Sequence, residues 1–470
     1  MALLRKPLRP QLSTTFDASS SAAASRPPGR GRLLQVLGMW FGIAAAIGST
    51  IAAGIVTAQG FIANLLPNIW LFLGVWLLGG IYALFGASSL AELGAAIPRS
   101  GGQYNYSRRA LGEYAGFVVG WSDWISTCGT NAVVALVIGN YGGVLLPSLA
   151  GKDAIIAIVV LLAFALLQWR GVKWGSAAQL ITAALKTGAF LVLVIACFVL
   201  GSSSHAAAIA SATTIPLSSG WLLAAAFMMA LQKVIYTVDG WDGVIYFGEE
   251  VKNPGRDVPR AIFGSVFSIV SIYVLLSAAV AYVLPMNEIA GNGFALGTAA
   301  TRVFGTYGDP VIRSIMIVSL LSCINACQLF STRTLYAMSS DGLFFRAASH
   351  VNKGGTPVLA LLLSTAVGIA FCIFQKFMRV IDMLAFFFVA NYALSFISLF
   401  VLRRKEPGMA RPYHAWGYPW TTGIALVASL FFLAGAVLTD RENTPWALGI
   451  LVASYPVFLV VKFLSKRVRT

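Results

Sequence analysis

The residues best suited to do chemistry lie in two glycine-broken stretches of otherwise apolar sequence. The first is Ile47-Gly48-Ser49-Thr50-Ile51-Ala52-Ala53-Gly54-Ile55. The second is Tyr236-Thr237-Val238-Asp239-Gly240-Trp241-Asp242-Gly243. Glycine and small residues weaken a helix in mid-course. Where a helix unwinds in hydrocarbon, its loose N–H and C=O groups must be taken up by protein, water or a ligand. A new helix start carries partial positive charge and suits a carboxylate, whereas a helix end carries partial negative charge and suits an ammonium. Two such breaks side by side match both poles of a zwitterion, so the chemistry in prospect is non-covalent capture of an amino acid. Glycine-rich stretches also serve plain close packing of helices. The pairing of two breaks, the second carrying an acid, favours binding, because charge inside a membrane is functional by default.

Other charges stand near these stretches. Lys186 closes the run Leu180-Ile181-Thr182-Ala183-Ala184-Leu185-Lys186, where an ammonium costs at least ~2.5–3.5 kcal/mol on insertion scales. Lys233 lies one turn before Tyr236 and on the same face. It would repel cationic substrates or snorkel into an outer vestibule. Asp239 either attracts an amine or caps an inner half-helix beginning near Gly240. Asp123, flanked by Trp121 and Trp124, and Asn325 either line a side-chain pocket or serve as hydrogen-bonded core groups. Glu92, Glu249, Glu250 and Arg333 fall at inner ends of apolar runs and read as gate or loop-anchoring charges. His205, His350 and His414 all lie in loops, so no catalytic constellation is visible and an enzyme is not expected. Cys128, Cys197, Cys323, Cys327 and Cys372 sit inside apolar runs, and their odd count argues against a disulfide framework. Cys323 and Cys327 share a helix face without a His or carboxylate at ligand spacing, so no metal and no cofactor are expected.

The elements that must position these residues follow from composition. Of 470 residues, 58% are hydrophobic and 11% charged, with mean hydropathy +0.79. Soluble domains carry about 45–50% apolar and ~25% charged residues, so a polytopic all-α membrane protein is expected. The net charge of +16 is spread through short gaps between apolar runs. That suits an anionic inner leaflet and not nucleic acid, which needs a basic stripe on a soluble face. Twelve spans of roughly the ~20 apolar residues a bilayer requires are expected at 35–63, 69–97, 114–146, 153–171, 176–201, 217–250, 260–284, 311–344, 357–375, 379–402, 419–438 and 444–463. With the N-terminus inside, the inner segments hold 24 Lys and Arg and the outer loops 6. Lys186, Lys233 and Arg333 lie within apolar runs, which accounts for all 33. Both termini are therefore expected in the cytoplasm. Residues 1–34 read as a disordered basic tail, followed by units 35–201 (spans 1–5), 217–402 (spans 6–10) and 403–470 (spans 11–12 and a short tail). Spans 1 and 6 are five apart, and an odd number of spans per repeat inverts the second copy. Paired interrupted spans at matching positions point to a transporter binding site.

Four motifs, in order, carry a resemblance. They are Ala91-Glu92-Leu93-Gly94-Ala95-Ala96-Ile97-Pro98-Arg99-Ser100-Gly101-Gly102-Gln103-Tyr104; Asp239-Gly240-Trp241 with Glu249-Glu250-Val251-Lys252-Asn253-Pro254 and Pro259-Arg260-Ala261-Ile262; Arg333-Thr334-Leu335-Tyr336-Ala337-Met338 with Asp341-Gly342-Leu343; and Leu402-Arg403-Arg404-Lys405-Glu406-Pro407 with Gly417-Tyr418-Pro419. Over about 35–420 the chain resembles the amino acid–polyamine–organocation (APC) superfamily, close to its L-type and bacterial amino acid permeases. The resemblance implies a five-plus-five inverted-repeat (LeuT-like) core with two further C-terminal helices. It implies a substrate carboxylate on the backbone of Ala53 and Gly54, with Ala52 beside them, and an amine on carbonyls near Thr50, Tyr236, Asp239 and Gly240. It implies Tyr236 as an aromatic gate. Lys186 resembles a lysine that, in several sodium-independent relatives, occupies the region used by sodium in coupled relatives; there it would either carry a proton or serve only as a structural cation that satisfies carbonyls. The family usually has Gly-Ser-Gly where this chain has Ala52-Ala53-Gly54, which removes a hydroxyl and leaves the carboxylate to N–H groups.

The expected function is secondary active transport of amino acids by alternating access: neutral L-amino acids, sodium-independent, by proton symport or exchange. The alternatives are a carrier of cationic amino acids or polyamines, or, from another class, a membrane-embedded transferase, receptor or channel. Those would need a catalytic cluster, a soluble domain or a ring of like charges. Some L-type relatives attach a glycoprotein through a cysteine after span three. The loop here is Pro147-Ser148-Leu149-Ala150-Gly151-Lys152, so no disulfide-linked partner is expected. The partners are the substrate and the lipid of the cell membrane.

Overall fold

The computed structural model describes residues 32–52, 54–201, 217, 219–374, 377–439 and 444–467. The helices run, in chain order, α1 Met39–Thr50, α2 Gly54–Leu65, α3 Ile69–Ala96, α4 Gln103–Leu111, α5 Glu113–Leu145, α6 Asp153–Trp169, α7 Val172–Leu200 and α8 Gly220–Val238. They continue with α9 Pro254–Val283, α10 Met286–Ile289, α11 Ala295–Phe304, α12 Gly308–Ser340, α13 Val358–Phe374, α14 Phe377–Lys405, α15 Trp420–Thr439 and α16 Thr444–Arg467. Among the described residues the only β features are three isolated bridges.

Among the described residues, eight helical stretches are long and apolar enough to cross a membrane, and α1 with α2, bent by 54° at their junction, form a ninth when counted as one span. The three shorter apolar helices Asp153–Trp169, Val358–Phe374 and Ala447–Phe463 fill the remaining expected positions. Each has about 17 residues, the lower end of what a ~30 Å core requires.

Burial explains why such helices are stable in lipid. Along α6, Ile155, Val159, Leu162 and Leu166 face outward, each at least half exposed, while Ala157, Leu161, Ala165 and Gln168 face the bundle. Both faces are therefore largely apolar, with small residues turned inward so that backbones approach closely. In water the outer stripe would be an aggregation surface.

The structure departs from expectation in the sixth span. The α-helix stops at Val238, and the expected continuation to 250 is a run of turns with a 3₁₀ helix over Gly243–Tyr246. Asp239 thus has no inner α-helix to cap. Helices α4 and α11, outside the twelve spans, have no counterpart among the expected elements. The tail ahead of residue 32 and His205 lie outside the described residues.

Paired charges tie down one end of the bundle. Glu92, fully buried on α3, takes Arg403, Arg411 and the Ala415 N–H at 2.7 Å, fixing the segment after α14. Arg333 on α12 forms a bidentate pair with Glu250 at 2.9 and 3.0 Å, both fully buried. Asp341 gathers Arg99, Arg108 and the Tyr104 hydroxyl at 3.0–3.1 Å. These pairs join α3, α4 and the segment after α8 to α12 and α14. Glu92, Glu250 and Arg333, expected as gate or loop-anchoring charges, all lie in these pairs.

Candidate functional site

An α-helix ends with four carbonyls that have no partner within it. At the end of α1, in mid-bundle, side chains from three other helices supply the donors. Lys186 of α7 donates to Gly48 O and Ile51 O, both at 2.9 Å, and reaches Ser319 O at 3.4 Å. Ser319 Oγ donates to Ile51 O, Cys323 Sγ to Ser49 O at 3.3 Å, and Tyr273 Oη of α9 to Thr50 O at 2.9 Å. Lys186 is fully buried, and its ammonium meets the partial negative charge of a helix end. Close approach needs Gly48, where a Cβ would overlap the Gln179 amide.

The second break touches the first. Gly240 has φ +102°, a conformation that favours glycine, and its carbonyl accepts from Ser49 Oγ at 3.2 Å. A Cβ there would stand 2.8 Å from both Ser49 Oγ and Thr50 Oγ1, and one at Gly54 would stand 3.4 Å from Thr237 Cγ2. The Tyr273 hydroxyl lies 2.9 Å from Thr50 O and 3.2 Å from Thr237 O. It has one proton, so it serves the two breaks alternately.

Accessibility singles out the same residues. Ser49, Ala52, Gly54, Tyr236, Asp239 and Gly240 are partly exposed, whereas Ala45, Ala46, Ile51, Ile55, Val238 and Trp241 around them are buried. Thr50 Oγ1 is buried with no hydrogen-bond partner among the described residues. The junction thus combines partly exposed residues of both breaks with a buried hydroxyl that has no partner among the described residues. Ala53 lies outside the described residues. Above the junction, the Lys233 ammonium sits 5.7 Å from the Tyr236 ring and 5.8 Å from the Phe61 ring of α2.

Asn325 and Asp123, for which a side-chain pocket and a hydrogen-bonded core were both considered, have core partners. Asn325 donates to Gly175 O and Gln179 Oε1 and accepts from Gln168, fully buried between α6, α7 and α12. Asp123 accepts from Tyr246 at 2.8 Å and Thr334 at 2.9 Å. Tyr273, Ser319 and Gln179 escaped sequence reasoning. A tyrosine in an apolar span reads as ordinary packing, and only the fold brings its hydroxyl to Thr50.

A family profile described as amino acid permease matches residues 37–460. The chain belongs to the amino acid permease family. Among its relatives, the serine/threonine exchanger SteT of Bacillus subtilis is 29% identical over 92% of this chain and 97% of its own length. The mouse large neutral amino acids transporter small subunit 2 is 28% identical over 84% of this chain and 75% of its own. The lysine-specific permease LysP of Lactococcus lactis is 24% identical over 88% and 86%. This permease is an APC-type, multi-pass membrane transporter of amino acids and not an enzyme.

Proposed function

We propose that this permease carries neutral L-amino acids by alternating access, independently of sodium, and by exchange or proton symport. The observation that carries the reading is the contact of two helix breaks at one depth, Ser49 to Gly240, with Tyr273 between them. The start of α2 presents N–H groups and partial positive charge to the substrate carboxylate, through Ala52, Ala53 and Gly54. Carbonyls around Thr50, Tyr236, Asp239 and Gly240 take the amine, with Thr50 Oγ1 as a further acceptor. Tyr236 closes over the substrate from the outer side.

The carbonyls of Gly48, Ile51 and Ser319 would suit a bare monovalent cation, and the Lys186 ammonium already fills that place. This supports sodium independence and a coupling role for Lys186. The cation on Tyr236 supports neutral over cationic substrates, and so do the names of the first two relatives above. The breaks in α1–α2 and after α8 support an inverted repeat of 35–201 and 217–402, preceded by a tail at 1–34 and followed by the accessory unit 403–470. The excess of Lys and Arg on alternate loops supports both termini in the cytoplasm of the cell membrane. All five cysteines are buried, which supports a chain without a disulfide-linked partner.

The test is a competition panel of twenty amino acids on the purified protein in proteoliposomes, with and without sodium and a pH gradient. Neutral amino acids should compete and sodium should have no effect. Arginine uptake exceeding alanine and leucine uptake, or uptake that requires sodium, contradicts the reading.

A further inference from the structure

We infer that Cys323 and Cys327 form a dithiol site for a soft, thiophilic ligand that bridges the two sulfurs and jams the first break. The two residues are four apart on α12, so their side chains meet on one face. Their sulfurs stand 3.9 Å apart and both are buried. That separation is the van der Waals contact of two free thiols, well beyond the ~2.05 Å of a disulfide, and close enough for a single atom to bridge both sulfurs. Among the described residues no group of three metal-ligating side chains exists. A structural metal would lack ligands, so the ligand must arrive with its remaining position filled. A trivalent arsenical with one organic group meets this condition. Its As=O oxygen leaves as water with the two thiol protons, two As–S bonds form, and no oxidant or reductant is needed.

The place gives the site its consequence. The Cys323 thiol donates to Ser49 O at the end of α1. Ala52, a partly exposed break residue, packs against the apolar cluster that holds both cysteines. Chelation removes the proton that Ser49 O uses and sets an organic group against Ala52. The effect on transport rests on the proposed substrate site; the binding itself does not.

The test treats the full chain in proteoliposomes with phenylarsine oxide, reading intact mass and amino acid exchange. One adduct per chain should form and exchange should fall. An excess of a monothiol should not restore it, whereas 2,3-dimercaptopropanol should. C327S should keep its untreated exchange and need at least tenfold more reagent for the same adduct. No adduct on the wild-type chain, or equal adduct on C327S, overturns the site. An adduct that leaves exchange intact overturns the jamming. Mass does not depend on transport, so failure of the substrate reading shows separately, as no exchange before treatment.

Discussion

A buried ammonium survives in this bundle because it completes a helix end. Lys186 has three carbonyls within 3.4 Å, and removing it exposes Gly48 O in a setting where an unsatisfied buried acceptor costs about 1–3 kcal/mol. Lys186→Ala should therefore lower exchange at least tenfold at neutral pH. Measuring uptake against pH and sodium separates the two roles of the ammonium. A pH dependence in the variant equal to that of wild type eliminates proton carriage, and uptake regained with sodium supports the view that the ammonium fills a cation site. Tyr236 acts through its ring, so Tyr236→Phe should retain most uptake and Tyr236→Ala should lose most of it at equal surface expression. Equal uptake per molecule in the alanine variant contradicts the gate. The first break was legible from Gly48 and Gly54, and Lys186 from its cost in lipid. Tyr273 was not legible, because its partners are backbone carbonyls about 36 and 223 residues away in sequence, and no residue-type pattern marks them.

At the scale of elements, the structure joins two unwound segments through a third helix. The Tyr273 hydroxyl is the described side-chain group that reaches carbonyls of both breaks, and its ring packs edge-on against Trp76 of α3. Tyr273→Phe keeps the ring and deletes the link. It should weaken substrate affinity several-fold, read as a rise in KM, while surface expression holds. An unchanged KM with unchanged turnover contradicts the coupling. The tied end of the bundle behaves differently. Glu250→Gln leaves Arg333 buried without its counter-charge, at about 3–5 kcal/mol for breaking a buried pair. The variant should unfold at a clearly lower temperature in detergent, and pairing it with Arg333→Met should recover much of the loss. Helix positions followed well from apolar run lengths. The stop of α8 falls in the expected break, but the loss of an inner α-helix did not follow, because Val244 through Phe247 is as apolar as a helix interior. The positive φ of Gly240 and the closeness of Ser49 decide the geometry there, and hydropathy reports neither.

Across the whole molecule, stability and function draw on different parts. The outward apolar stripes of α6 and α7 fix the protein in lipid, the charge pairs of Glu92, Glu250 and Asp341 tie segments together at one end, and the two breaks meet at mid-bundle. The all-helical membrane class and the family were legible because they are properties of composition and of four ordered motifs. The contact between the breaks was an expectation that only coordinates could test. The most direct measurement of the central claim uses one amino acid in three forms as competitors of uptake: the free zwitterion, its methyl ester and its N-acetyl derivative. The free form should compete, and blocking either pole should raise the inhibitory concentration at least tenfold. Competition by the ester or the N-acetyl compound as strong as by the free amino acid would contradict it.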